Sequence, residues 1–188
     1  MVLIYLSHKA SKGYVFLVSN IVLIGMPGVG KSTVGVILAK IIGYRFVDTD
    51  LVIQEKCGAL LKDIIAKEGV DGFIATENSI CASVEAERSV IATGGSVIYG
   101  CDAMAHMRDI GTVVYLAQDF DVINKRLSDI KGRGVVLHEG QTLRDLYTER
   151  DPLYRKYAHV ICEMSNGTVE ESIEKVLSAL NSYGFTVE

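Results

Sequence analysis

Apolar positions fall into two alternating patterns along the chain. Ile21-Val22-Leu23-Ile24, Ser89-Val90-Ile91-Ala92 and Thr112-Val113-Val114-Tyr115-Leu116 are short continuous runs rich in β-branched side chains; Tyr44 to Val47 and His159 to Cys162 are weaker examples. A strand with one wet face alternates apolar and polar residues, whereas a continuous run marks a strand covered on both faces. Between these runs the apolar period lengthens to that of a helix. Val34, Ile37, Leu38, Ile41 and Ile42 fall at helical spacing, with Gly43 as a stop. Thr168 and Glu171 have the spacing of a capping box ahead of a stripe of Val169, Ile173, Val176, Leu177 and Leu180. Strand and helix in alternation predict an α/β domain: a parallel sheet with helices on both faces. No internal repeat, low-complexity tract or Pro/Gly-rich linker interrupts the alternation, and neither Pro27 nor Pro152 marks a boundary.

The first residues stand apart. Met1 to Leu6 is apolar, His8, Lys9 and Lys12 follow, and a second apolar run spans Tyr14 to Ile24. A secretory signal places its positive charge before the apolar stretch and a small-residue cleavage site after it, which is the reverse order. The second run is too short to span a bilayer, and Ser19-Asn20 breaks it. Residues 1–18 are therefore expected to be an appendage, either a disordered tail or an extra strand. Residues 19–188 are expected to form one domain.

Composition agrees with that outline and narrows the partners. The chain has 188 residues, 49% apolar and 22% charged, a globular balance with length enough for an unstapled core. Lys and Arg total 19 against 23 Asp and Glu, a net charge of −4, and no basic block is present. Neither a nucleic acid nor an anionic membrane is an expected partner. Cys57, Cys81, Cys101 and Cys162 lie far apart without a C-x-x-C pair, so they are read as reduced cysteines packed as small hydrophobes. His8, His106, His138 and His159 lack metal-ligand spacing.

The strongest chemical signal is Gly25-Met26-Pro27-Gly28-Val29-Gly30-Lys31-Ser32, which fits G-x-x-x-x-G-K-[ST] in full, after a buried strand and before an amphipathic helix. Glycines let the backbone curl so that several N–H groups face phosphate oxygens, and the helix N-terminus adds partial positive charge. In this loop Lys31 is expected to reach the β- and γ-phosphates of a nucleoside triphosphate, and the Ser32 hydroxyl to serve Mg²⁺.

The chemistry beyond nucleoside-triphosphate binding needs an acid. Asn124-Lys125-Arg126-Leu127 lacks the aspartate of a GTPase base-reading loop, and Ile91-Ala92 runs into Thr93-Gly94-Gly95-Ser96 without a carboxylate. Asp48-Thr49-Asp50 follows the second apolar run, where such sheets place ligand chemistry. Two carboxylates spaced by two on an extended stretch share a face, one to assist Mg²⁺ and one to receive or orient a hydroxyl proton. The alternative is a polar turn in which an aspartate caps a helix.

Gly25 to Thr33, Phe46-Val47-Asp48-Thr49-Asp50, Ala92-Thr93-Gly94-Gly95, Val114-Tyr115-Leu116 and Arg150-Asp151-Pro152-Leu153-Tyr154, taken together, resemble the shikimate kinase family from about Ile21 to Leu180. The resemblance implies a nucleoside-monophosphate-kinase-like fold. This is a three-layer α/β/α P-loop kinase with a five-stranded parallel sheet, a substrate-binding helical segment and a lid. It implies transfer of the ATP γ-phosphate to a hydroxyl of a small acid, shikimate giving 3-phosphoshikimate on the way to aromatic amino acids. By position, Gly28, Val29, Gly30, Lys31, Ser32 and Thr33 would hold the nucleotide, and Asp48 would sit with Ser32 at Mg²⁺. Asp50 would bind the acceptor hydroxyls, Gly94 and Gly95 would present backbone N–H groups, Arg150 would grip the carboxylate, and Glu77 would lie close by. Arg133 would close over the phosphates within the lid, Ser128 to Gly140, and Arg126 would stack on adenine. Lys31, Asp50 and Arg133 make up the expected catalytic set. The residues alone support part of this: Leu143, Leu146, Tyr147 and Arg150 share a helical face, which turns Arg150 inward. Arg133 also reads as a solvated loop charge and Arg126 as a helix-surface charge. A monomeric, cytoplasmic enzyme acting on a small molecule is the accompanying expectation.

Three positions depart from the family pattern. The family's G-E-x-x-F-R-x-x-E reads Gly69-Val70-Asp71-Gly72-Phe73-Ile74-Ala75-Thr76-Glu77 here, with Ile74 in place of an arginine that helps bind the acceptor carboxylate. Ser96 replaces a third glycine, and the lid's R-P-L-L reads Arg133-Gly134-Val135-Val136. An apolar side chain at position 74 points to weak binding of shikimate or to another small hydroxylated acceptor. A nucleotide-binding module without transfer is the competing class, and the presence of Lys31, Asp50 and Arg133 argues against it.

Overall fold

The computed structural model describes residues 20–128, 138 and 140–185. The chain enters as β1 (Asn20–Ile24) and passes through the glycine-rich loop into α1 (Lys31–Ile42). β2 (Arg45–Asp48), α2 (Thr49–Cys57) and α3 (Leu61–Cys81) follow, then β3 (Ser89–Ala92), a 3₁₀ turn (Val97–Tyr99) and α4 (Cys101–Ile110). β4 (Gly111–Ala117), α5 (Phe120–Ser128), α6 (Leu143–Tyr157), β5 (Val160–Glu163) and α7 (Val169–Tyr183) complete the order. The five strands form one sheet, β2-β3-β1-β4-β5, with every neighbouring pair parallel. This is the expected three-layer α/β/α arrangement.

Position in the sheet explains the strength of each strand's pattern. β1, β3 and β4 are interior strands and bury every residue. β2 and β5, whose runs are weaker in the sequence, are the two edges, and β5 alternates buried and exposed positions. The start of β1 is fixed by Asn20, whose amide donates to the carbonyls of Ala86 (2.7 Å) and Ile110 (2.9 Å) and accepts from the Ser89 N–H (3.0 Å). The registers Leu23–Ala92 and Ala92–Asp48 align the carboxyl ends of β1, β3 and β2. The loops that leave these three ends therefore meet at one rim of the sheet.

The helices follow their patterns with local differences. On α1, Val34, Leu38 and Ile42 are buried, but Ile41 is 57% exposed, because the stripe is narrower than the run of apolar residues. α1 ends at Gly43 in the left-handed region (φ 70°), where glycine carries no Cβ penalty. On α7, Ile173, Val176 and Leu180 are buried and Val169 is exposed; the Thr168 hydroxyl accepts from the Glu171 N–H at 3.3 Å, half of the expected box. Cys81 and Cys162 are buried, whereas Cys57 and Cys101 are exposed, which corrects the expectation that all four pack inside. α3 bends at Gly69 (φ 74°, ψ 179°), a conformation open to glycine. Ile53, Ile64 and Phe73 form a small apolar cluster under α2 and α3, apart from the main core. Residues 1–18 and most of the expected lid, Arg133 included, lie outside the described residues.

Candidate active site

Glycine geometry shapes the phosphate loop. Gly25, Gly28 and Gly30 all have positive φ (145°, 79° and 106°), so the backbone turns its amides inward before α1 begins at Lys31. Lys31 is buried, and its ammonium donates to the carbonyls of Gly25 (2.7 Å) and Met26 (3.0 Å). Burial lowers its pKa to about 8, with Arg150 adding and the carboxylates of Asp50, Asp48 and Glu77 opposing. An ammonium satisfied by neutral carbonyls is poised for a stronger, anionic partner. That fits a triphosphate.

The Ser32 hydroxyl donates to Asp48 Oδ2 at 2.8 Å, and Asp48 Oδ1 accepts from the Asp50 N–H at 3.0 Å. The two carboxylates converge, but by a different route from the extended stretch expected. Asp48 ends β2 and caps α2, and Asp50 already lies in the first helical turn. The helix-cap reading of Asp48 is correct, and the same carboxylate lines the cavity beside Ser32. Among the described residues no cluster of three or more His, Cys, Asp or Glu could hold a metal. Mg²⁺ bound to nucleotide needs only one or two protein oxygens, and the Ser32 hydroxyl and the Asp48 carboxylate are two oxygen donors side by side at this rim.

A cavity of about 410 Å³ opens at this rim. Lys31, Ser32, Asp48, Asp50, Glu77, Gly94, Gly95 and Arg150 all line it. Arg150 is 1% exposed, on the inner face of α6 with Leu146 and Tyr154, as the helical spacing predicted. Gly94 and Gly95 are required for space. A Cβ at Gly94 would collide with Glu77 Oε1 and lie 3.0 Å from Asp50 Oδ1; at Gly95 it would lie 2.9 Å from Pro27 and 3.1 Å from an Arg150 guanidinium nitrogen. The Gly94 N–H, expected to face the acceptor, donates in this structure to the Thr49 hydroxyl at 3.2 Å. Tyr154 donates to the Gly95 carbonyl at 2.6 Å and fixes that turn.

Glu77 is 1% exposed, and neither carboxylate oxygen has a hydrogen-bond partner of ordinary geometry. Burial raises its pKa to about 7; the Ser96 side chain, Arg150 and Lys31 pull the other way, and Asp50 pushes with burial. Ile74 is half-buried and does not line the cavity, whereas Phe73 and Glu77 do.

A second cavity, of about 420 Å³, shares Gly28, Gly30 and Thr33 with the first and adds Val29, Arg126 and the start of α7. Arg126 donates to the carbonyls of Val29 (3.1 Å) and Gly28 (3.4 Å), which places it over the loop and not as a solvated helix charge. Neither the Thr49 strut nor the apolar wall made by Leu51, Leu61 and Phe73 was legible in the sequence. Thr49 sits inside a motif read for its flanking carboxylates, and the wall residues have no local pattern that separates them from core.

The family model described as shikimate kinase matches residues 27–181. Over 170 residues the chain is 34% identical to shikimate kinase 2 of Yersinia enterocolitica, covering 86% of this chain and 95% of that one. It is 36% identical over 165 residues to the shikimate kinase of Nitrosomonas europaea, covering 86% and 78%. The fold superposes on the shikimate kinase from Acinetobacter baumannii in complex with shikimate with a TM-score of 0.80 and 35% identity, across 90% of this chain and 97% of the other.

Proposed function

The chain belongs to the shikimate kinase family, and from that premise we propose that its rim cavity transfers the γ-phosphate of ATP to a hydroxyl of shikimate. The family uses ATP with Mg²⁺. The observation that carries the reading is the meeting, in one cavity, of a phosphate loop, two carboxylates and a buried arginine.

Each residue has a separable task. The loop amides from Gly28 to Thr33 and the Lys31 ammonium hold the phosphates, with Arg126 bordering the adenosine end. Ser32 and Asp48 would hold Mg²⁺, which would supply positive charge against the phosphate oxygens. Arg150 binds the acceptor carboxylate, which orients the ring and brings one hydroxyl to Asp50. Asp50 accepts that hydroxyl's proton as its oxygen bonds to the γ-phosphorus, while the bond to the ADP oxygen breaks. Gly94 and Gly95 keep the acceptor side open, and Arg133 completes the charge around the transferring group. Because most of this catalysis is positioning and electrostatics, the pre-set geometry of Lys31, Ser32 and Asp48 accounts for much of the rate.

Residues 19–188 act as one kinase domain, with residues 1–18 as an appendage. The enzyme works as a cytoplasmic monomer; among the described residues no helix is long and apolar enough to cross a membrane. The test is an ADP-coupled assay with ATP·Mg²⁺ against a panel of hydroxy acids and polyols. Shikimate is expected to give the highest kcat/KM. A higher value on another acceptor would replace shikimate in this reading, and no acceptor-dependent ADP release at all would leave a nucleotide-binding module.

A further inference from the structure

Behind the cavity, Arg150 is held by a chain of polar groups that the phosphoryl-transfer chemistry does not use. Its Nε donates to the Tyr99 hydroxyl at 3.2 Å, and the guanidinium carbon lies 5.2 Å from the centre of the Tyr99 ring. The Tyr99 hydroxyl donates to Glu149 Oε1 at 2.6 Å. Glu149 Oε2 accepts from the Gln141 amide at 2.8 Å. Tyr99 comes from the 3₁₀ turn that follows β3, and Glu149 and Arg150 are adjacent on α6, so the chain ties the acceptor side of the site to its anion-binding helix.

The direction of each bond matters. A carboxylate is an acceptor only, so Glu149 fixes the tyrosyl proton toward itself, which leaves an oxygen lone pair for Arg150. A guanidinium is planar, and engaging Nε from behind sets the plane in which its two terminal nitrogens lie. One of those nitrogens borders Gly95, and Arg150 is the one arginine among the described residues that lines the cavity. A carboxylate bound by two parallel N–H groups is sensitive to the tilt of that plane.

We propose that Tyr99 and Glu149 are positioning residues: they lock the Arg150 guanidinium in the orientation that receives the acceptor carboxylate, and so set affinity for the acceptor and not for the nucleotide. This inference rests on the assignment of the acceptor anion to Arg150.

The test compares Tyr99→Phe, which keeps the ring and removes the hydroxyl, with Glu149→Ala, Glu149→Gln and Arg150→Ala. Glu149 is exposed, so its replacement leaves the core untouched and serves if the tyrosine variant folds poorly. For Tyr99→Phe the shikimate KM is expected to rise about tenfold, the scale of one charged hydrogen bond, with the ATP KM within about twofold of wild type. Glu149→Ala should move the shikimate KM in the same direction, and Glu149→Gln, which still accepts the tyrosyl proton, should recover most of the loss. The double variant Tyr99→Phe/Glu149→Ala should be no worse than Tyr99→Phe alone, since both break one chain. If Arg150→Ala raises the shikimate KM while Tyr99→Phe and Glu149→Ala leave it within twofold, the positioning role is overturned and the anion assignment stands. If Arg150→Ala leaves that KM unchanged, the anion assignment itself fails and takes this inference with it. Equal increases in the KM for shikimate and ATP would show a general structural defect and also overturn it.

Discussion

Lys31 and Glu77 are both buried at the rim, and the fold treats their charges in opposite ways. Lys31 keeps two carbonyl acceptors, while Glu77 has no partner of ordinary geometry. Replacing Lys31 by Ala removes a pre-organised charge from the transferring phosphate, and turnover should fall about 10²–10³-fold. Steady-state kinetics on shikimate checks this, and near wild-type turnover would detach the loop from catalysis. Glu77 makes a prediction about stability. Its folded pKa is raised from 4.5 to about 7, so the folded state holds the proton more tightly than the unfolded chain. The stability it contributes is fully present below pH 4.5 and is lost as pH rises through about 7. Denaturant unfolding should show wild type losing on the order of 3 kcal/mol relative to Glu77→Gln across that window. A constant difference between the two proteins would show that Glu77 is solvated or paired. Ile74 supplies a third test. With Arg150 as the single arginine lining the cavity among the described residues, Ile74→Arg should lower the shikimate KM by about tenfold. An unchanged KM would show that position 74 has no access to the acceptor. Most of the residues assembled here were legible because the P-loop, D-T-D and T-G-G motifs are local. Tyr99 was not, since its partners Glu149 and Arg150 are about fifty residues away and nothing in the spacing links them.

α1 packs tightly against the sheet at Gly35. A Cβ on Gly35 would lie 2.8 Å from the Phe46 ring and 3.2 Å from Leu23. Gly35→Ala is expected to cost about 1–3 kcal/mol of stability by overpacking, with the KM values for ATP and shikimate unaltered because the loop precedes it. Thermal or urea unfolding beside kinetics separates the two effects, and a stable variant would mean that α1 shifts readily against β1 and β2. Element boundaries were legible where a pattern was strong and two-sided. β3 matches its apolar run residue for residue, and Gly43 stops α1 as expected. The start of α2 was legible only as the alternative in which an aspartate caps a helix. Asp48-Thr49-Asp50 follows a strand, and no apolar period is present to show that the helix begins at Thr49. α2 packs through Ile53 onto a satellite cluster instead of the main core, so its stripe is too thin to read.

At the scale of the molecule, the strand order explains why these motifs meet. β1 lies between β3 and β4, so the chain leaves β1 to one side for β2 and β3 and to the other for β4 and β5. The loop after β1 therefore occupies the point where the order reverses, outside the carboxyl ends of the strands, where open α/β sheets bind ligands. β2 and β3 deliver Asp48 and Gly94 to the same rim, and α6 brings Arg150 across it. The alternation of strand and helix made the parallel sheet legible; its five strong and weak apolar runs are the five strands, and the sequence resemblance implied the same count. In the proposed function this rim passes phosphate from ATP to shikimate with Asp50 as the proton acceptor. Phosphorus NMR of wild type and Asp50→Asn, each incubated with ATP·Mg²⁺ and shikimate, checks both parts at once. Wild type is expected to give a single new phosphomonoester signal growing in step with ADP, and Asp50→Asn to bind ATP without that signal. Inorganic phosphate in place of a phosphomonoester, or equal product from both proteins, would contradict it.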